Sequence, residues 1–372
     1  MADWNRILDE RSCAFSHEFW KVIEQSGMND FSFRHVLFFD DNEKAIALTS
    51  FYSVTTDVAI FAPIKLRRFL AGIRRLFPNF LKLRMLEWGT PITISSPPFV
   101  SAQYVEPHAI IQHFHALLMQ TAREEGRIVI VARDFEPNAQ LLEGIFTGLG
   151  YHWVNTLPNT YLNITWASIH EYHASLKSYY RSKLLKHLRR NLEQNIHHKL
   201  VDDFDHLADP LAAQWMVVHN QADEFQREVL TPGFYREFSR GMGSRSKALL
   251  FYRQDELVGH ALLLLDGNVL IWMYFGREVA INDSLYIYAA HAVIETAISL
   301  GVKRLQMGLT TYPVKQDLGA QVTPIKLAIR ATSPFINPFV GWFYRALNRP
   351  PHIQSKRIFK KSSLQTIDPV AK

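Results

Sequence analysis

Tyr312 and Lys315 stand in a segment that also holds Pro313, Gly319 and Ala320. A lysine in a Gly- and Pro-containing loop after a strand can neutralise a phosphate or a developing oxyanion, and it can equally be a surface lysine. Tyr312 can donate to a leaving group or only pack its ring. His260 has the intrinsic pKa of a useful base, yet it lies in an apolar strand, where a satisfied core histidine is the plainer reading. Glu87, at a strand end in the first half, can act as a base or as a structural hydrogen-bond acceptor. Trp272 and Tyr274 alternate along one strand and are expected on one face, lining an acceptor pocket or filling the core. Asp283 or Ser284 can N-cap the next helix, whose first N–H groups and dipole favour phosphate. Gly276 and Arg277 lead into that terminus, and Arg277 can add a charge-assisted contact or stay solvated.

Other chemistries find little support. His197 and His198 are adjacent, so on a helix they diverge by about 100°. His108, His113 and His115 lack an i, i+4 pair, and no H-E-x-x-H occurs. Cys13 is the single cysteine, which removes a disulfide framework and a cysteine-based zinc site and fits a reducing compartment. No G-x-S-x-G is present.

The elements that must position these residues follow from the hydrophobic pattern. Apolar runs at 248–253 and 257–265 flank a polar tip and read as a hairpin. Asp266-Gly267 is a turn dipeptide, and 269–275 is a third strand. A helix from 283 or 284 to about 300 ends at Gly301, and 302–307 is another strand. Upstream, helix 12–27 is capped by Ser16, strands 31–39 and 45–52 flank an acidic turn, and 58–61 is a further short strand. Residues 64–80 form a basic amphipathic helix, a docked surface helix or a contact for anionic membrane or nucleic acid. Strand 83–88, a loop at 95–99, helix 108–125, strand 127–132, helix 138–149 and strands 151–156 and 161–164 complete the first half. A second basic helix, 177–199, opens the second half. Helices at 210–225 and 232–238 and a flexible link at 241–244 lead into the hairpin. Aromatic residues 339–347 and a mobile basic tail with Lys356, Arg357, Lys360 and Lys361 close the chain. Similar element order on either side of about residue 166 predicts domains at 1–165 and 166–335 with an extension at 336–372.

The chain has 372 residues, of which 48% are hydrophobic and 20% charged, enough for packed cores and too apolar for global disorder. The N-terminus reads as no signal peptide. The most apolar run, 261–275, is broken by Asp266-Gly267 and is too short to span a bilayer, which needs roughly 20 apolar residues. A net charge of +6 permits coenzyme A, tRNA or anionic lipid without selecting among them.

Three stretches carry a resemblance. Leu176-Lys177-Ser178-Tyr179-Tyr180-Arg181-Ser182-Lys183-Leu184-Leu185-Lys186, the helix and strand of 289–308, and Tyr312-Pro313-Val314-Lys315-Gln316-Asp317-Leu318-Gly319-Ala320 resemble segments of the GNAT-superfamily acyltransferases of the BioF-like, Fem-related kind. Leu86-Glu87-Trp88-Gly89-Thr90-Pro91 is a weaker cue. The resemblance implies an α/β (α+β) fold of two tandem GNAT-like domains, each a mixed, mainly antiparallel sheet flanked by helices. It implies an N-acyltransferase working by direct attack of an amine acceptor, with strands 269–275 and 302–307 splaying to receive the donor. Lys315, Tyr312, Glu87 and His260 are then the candidate catalytic residues. Gly276, Arg277, Asp283 and Ser284 are candidates for donor binding, and Trp272 and Tyr274 for substrate binding. No tightly bound cofactor is expected. The donor is acyl-CoA ahead of aminoacyl-tRNA. The GNAT glycine pattern Q/R-x-x-G-x-G/A is absent between Phe275 and Leu285, which keeps both donors open. Alternatives from other classes are a non-catalytic GNAT scaffold binding tRNA, and a protein held peripherally on anionic membrane by 64–80 and 339–347. The expected location is cytoplasmic or at the inner membrane face.

Overall fold

The computed structural model describes residues 2–8, 12–61, 64–92, 94, 99–221, 228–279, 284–348 and 353–360. Residues 95–98 of the loop expected at 95–99, Asp283 and Lys361 lie outside the described residues, and Phe99 opens a strand instead. The chain divides into two compact units, Met1–Pro158 with His219–Met242 and Pro324–Pro351, and Asn159–Val218 with Gly243–Thr323 and His352–Lys372.

In the first unit, α1 (Ala2–Leu8) and α2 (His17–Gln25) precede β1 (Ser32–Phe39) and β2 (Ala45–Asp57). Ser16 caps α2 by accepting from the Phe19 amide at 3.1 Å. The Asp40 carboxylate accepts from the Lys44 amide at 2.9 Å and closes the β1–β2 turn. Strand β2 is long, and the strand expected at 58–61 is a 3₁₀ turn, because Asp57 Oδ1 accepts from the Ala59 amide at 2.9 Å. Next come α3 (Ile64–Arg74), β3 (Lys82–Trp88), β4 (Phe99–Ser101), α4 (Pro107–Glu124), β5 (Val129–Phe135), α5 (Glu143–Gly148) and β6 (His152–Asn155). The basic helix is therefore shorter than 64–80. Arg74 ends it by gripping both Asp57 oxygens at 2.5 Å.

Strand β7 (Asn159–Asn163), α6 (Ile169–Ser175) and α7 (Ser178–Glu193) follow. Asn195 takes a left-handed φ of 54° and ends the second basic helix early. His197 and His198 accordingly lie on a strand, β8 (Ile196–Val201), where they point to opposite faces. After α8 (Ala208–Gln221) and α9 (Pro232–Met242) come β9 (Ser246–Arg253), β10 (Glu256–Asp266), β11 (Val269–Arg277), α10 (Leu285–Ser299), β12 (Arg304–Gln306), α11 (Tyr312–Asp317), β13 (Gln321–Thr323), β14 (Lys326–Ala331) and α12 (Asn337–Leu347).

The first unit's sheet has the order β1-β2-β3-β5-β14-β6, with β4 pairing β2; the second has β13-β7-β12-β11-β10-β9-β8. Among the described residues each sheet has one parallel junction, β3–β5 in the first and β11–β12 in the second, and a helix occupies each connection, α4 and α10. Each sheet also receives a strand from the opposite half of the sequence. Strand β14 inserts between β5 and β6, and β7 inserts between β12 and β13. The chain crosses between units for this reason, and the expected cuts at 165 and 335 give way to interleaved segments.

The tail also differs from expectation. Residues 353–360 pack in the second unit: Phe359 bridges Leu176, the Lys177 amide donates to Ile358 O at 2.9 Å, and Ile358 is buried. Its apolar residues join the core of α6, α10 and the sheet, which is what immobilises it.

Candidate active site

Strands β11 and β12 pair for three residues only, from Val269↔Arg304 to Ile271↔Gln306. Beyond that point Met307 turns toward β7, donating its amide to Thr160 O at 2.8 Å. On the other side β11 is bent by a bulge: Leu262 faces Tyr274 and Leu263 faces Trp272, leaving Met273 as the extra residue. The Trp272 indole donates to Tyr274 O at 2.9 Å and holds the bend. The two strands thus part where a GNAT-type donor site is expected.

The bulge overturns one expectation of geometry. Trp272 and Tyr274 lie on opposite faces. Trp272 belongs to the core under α10 and stacks on Tyr286 with ring centroids 5.5 Å apart, whereas Tyr274 meets Trp215 edge-on. The extra residue Met273 reverses the alternation that sequence spacing assumes.

Helix α10 begins at the parting. Ser284, its N-cap position, is buried, and its hydroxyl bonds His187 Nδ1 of α7 at 2.8 Å instead of an amide of its own helix. Asn191 donates to Ser284 O at 3.2 Å and ties α7 to the same point. Burial and then the charges of Arg190, Lys183 and Lys186 hold the His187 pKa below its ordinary value. These cations of α7 thus surround His187, which contacts the residue that precedes α10, where helix N–H groups already favour an anion.

The loop between β12 and α11 closes the far side. Gly308, Thr310 and Thr311 have φ of 76°, 61° and 51°. Left-handed backbone at two β-branched residues costs about 1–3 kcal/mol each and needs surrounding support. Lys315 supplies it. The residue is only 2% exposed, and its Nζ donates to Leu309 O at 2.6 Å and Gly308 O at 3.1 Å. Thr160 Oγ1 also donates to Gly308 O, at 2.6 Å. Burial pushes the Lys315 pKa down to about 7. A neutral amine has two N–H bonds, both of which these carbonyls accept, so its lone pair stays available. Tyr286, whose hydroxyl bonds the Thr311 side chain, is pushed up to about 12 by burial.

Helix α11 is braced from outside. Asp317 binds Lys183 and Lys356 at 2.5 Å each, and these partners outweigh burial to keep its pKa below the ordinary carboxylate value. Gln316 donates to Gln354 O at 2.7 Å. Gly319, at φ 101°, leaves room for Phe359, whose ring would meet a Cβ at 2.3 Å.

The remaining expected residues divide by place. Tyr312 is buried as the first residue of α11. His260 is fully buried in β10, shares a 2.9 Å hydrogen bond with Gln214, and is driven down to about 3 by burial, so it is neutral across the physiological range. Gly276 lies directly over it; a Cβ there would sit 2.2 Å from His260 Cε1 and 2.8 Å from the Trp215 amide. The structure thus gives Gly276 a packing reason. Gly276→Ala is expected to cost about 1–3 kcal/mol of stability in thermal unfolding, and adding His260→Ala is not expected to recover it, because the Trp215 backbone amide still meets the new Cβ at 2.8 Å. Arg277 is half-buried at the end of β11. Glu87 lies in the first unit, at the end of β3, where its sheet has its own parallel junction. It accepts from Tyr52 OH at 2.6 Å and stands 3.8 Å from the Arg133 guanidinium. Spacing did not single out Tyr286, Thr311 or His187. The usable signal for Tyr286 was its place as the second residue of the helix that follows the splayed strand. Among the described residues one carboxylate and histidine group, Asp203, Asp205 and His206, is spaced for a metal ion, and it lies toward the surface.

Residues 178–316 match the family model described as Acetyltransferase (GNAT) domain. A Mycobacterium tuberculosis (strain CDC 1551 / Oshkosh) protein that carries the name 8-amino-7-oxononanoate synthase 2 is 27% identical over 328 residues, covering 86% of this chain and 42% of that one. The chain spans about two fifths of the length of that curated relative. The crystal structure of FemX superposes with a TM-score of 0.55 at 9% identity, covering 87% of this chain and 95% of FemX. A tandem GNAT protein from the clavulanic acid biosynthesis pathway superposes with a TM-score of 0.53 at 10% identity, covering 90% of this chain and 95% of that one. Residues 178–316 thus match a GNAT acetyltransferase domain, and the fold is similar to that of the solved tandem GNAT protein.

Proposed function

We propose that the second unit transfers an acyl group from acyl-CoA to an amine by direct attack. The carrying observation is the parting of β11 and β12 at the start of α10, under the cations of α7. A thioester carbonyl placed in the gap meets the backbone of β11, whose amides stabilise the oxyanion. The diphosphate of the donor takes the α10 terminus. The neutral acceptor amine attacks the carbonyl carbon, a C–N bond forms and the C–S bond breaks. The proton shed by nitrogen passes to the Lys315 amine and leaves with the thiol or to water.

The exposed basic residues of α7, among them Lys186, Arg189 and Arg190, favour one second reading, an aminoacyl-tRNA donor. Thermal unfolding distinguishes them. Acetyl-CoA at about 100 times its Kd stabilises by about 2.7 kcal/mol, a rise on the order of 5–10 °C. A rise with charged tRNA and none with acetyl-CoA or coenzyme A would replace the first reading by the second.

No described helix is long and apolar enough to cross a membrane.

A further inference from the structure

Helix α12 is amphipathic in the inverted sense. Its face toward β6 and β14 is made of Asn337, Val340, Gly341 and Tyr344. Gly341 lacks the Cβ that would fall 2.8 Å from the His152 ring, and His152 Nε2 contacts Asn337 O at 2.7 Å. That side is small and satisfied. The large apolar residues Phe335, Ile336, Phe339, Trp342 and Phe343 lie on the other side, with Phe335 86% and Trp342 64% exposed. Within the helix Phe339, Trp342 and Phe343 fall inside about a third of the circumference, and Phe335 and Ile336 immediately precede it.

A second exposed apolar group lies beside it in the same unit. Leu347 at the end of α12 packs with Leu70, Ile73 and Leu81 of the α3 segment. From that segment Phe69, Leu76, Phe77 and Phe80 project outward, Leu76 79% exposed. Contiguous apolar surface of this kind marks an interaction site.

Charge selects the partner. No Asp or Glu occurs between Asp57 and Glu87, a span holding Lys65, Arg67, Arg68, Arg74, Arg75, Lys82 and Arg84, nor between Asp317 and Asp368, a span holding Arg345. Arg68, Arg75 and Arg345 are exposed beside the aromatic residues. Exposed Trp and Phe with a cationic rim and no acids match the boundary between lipid headgroups and acyl chains; a nucleic acid would leave the aliphatic and phenyl surface unburied.

We propose that the first unit docks on a bilayer surface containing anionic phospholipid through α12 and the segment 69–80. This stands independently of which donor the second unit uses.

Flotation of the full chain with vesicles tests it. Phosphatidylglycerol/phosphatidylcholine vesicles are expected to carry the protein, phosphatidylcholine alone to carry it on the order of ten-fold less, and high salt to weaken the anionic case. Trp342→Ser with Phe343→Ser lowers partition to anionic vesicles by about ten-fold or more without moving the thermal midpoint, since both side chains are solvent-exposed. Arg68→Glu with Arg75→Glu brings anionic vesicles down to the level of neutral ones. Brominated lipid quenches part of the tryptophan fluorescence, and Trp342→Phe removes that part while binding persists. Equal flotation of the wild type and the Trp342→Ser/Phe343→Ser variant overturns the proposal. So does absence of flotation together with a dimer that this variant abolishes, or with tRNA binding that the arginine variant abolishes.

Discussion

Replacing Lys315 by methionine is expected to lower kcat/KM by about 10²–10⁴-fold, the range removed with a general base. A thiol-release assay with acetyl-CoA over a panel of amines reads it. The wild-type rate should climb with pH through about 7, where the buried amine loses its proton, and that limb should vanish in Lys315→Met. Lys315→Arg separates chemistry from support. A guanidinium can still donate to the Gly308 and Leu309 carbonyls but stays protonated, so the loop is retained and the rate is not. Recovery of rate in Lys315→Arg would make Lys315 a brace for the left-handed loop and nothing more. The same residue sets a stability trend. Its folded pKa lies below the ordinary lysine value of 10.5. Between about 7 and 10.5 the unfolded chain therefore binds more protons, and stability rises as pH rises through that window. Lys315→Met should flatten this slope in denaturant titrations.

Glu87→Ala is expected to destabilise the protein by about 3 kcal/mol. Glu87 is buried with Tyr52, Arg133 and Asp134. Burial works against the Arg133 charge, but Asp134, Tyr52 and Glu87 outweigh it and hold the guanidinium firmly protonated. Removing Glu87 takes away one of the two carboxylates beside that cation and leaves the Tyr52 hydroxyl without its 2.6 Å acceptor. Asp134, bonded to Arg133 at 3.0 Å, keeps the loss from being larger. Glu87→Gln preserves the acceptor for Tyr52 and should recover about half the stability. Urea unfolding gives the magnitude. A variant that keeps its midpoint but loses turnover would instead mark Glu87 as a base.

The hairpin of β9 and β10 and the turn into β11 were legible because period-two patterning and Asp266-Gly267 are local signals. The parallel β11–β12 junction followed from the resemblance. The exchanged strands β7 and β14 were not legible, since a strand's own residues do not say which sheet it enters. The Met273 bulge was hidden for a related reason: a bulge is defined by the partner strand, and without it Trp272 and Tyr274 alternate on one face. Thr310 and Thr311 are residues one would not place in left-handed backbone. The buried Lys315 that holds their loop is visible only once α11 is folded against it. Asn195 ended the second basic helix against a continuing pattern of leucines, because the β8–β9 pairing outweighs local helical preference.

Hydrogen exchange with and without acetyl-CoA shows which unit receives the donor. Slowed exchange is expected in 272–276, in the first turn of α10 at 285–288 and in the loop 308–311, with 86–90 and 131–135 of the first unit unchanged. Protection confined to the first unit's junction, or none at acetyl-CoA concentrations up to millimolar, would contradict donor binding by the second unit.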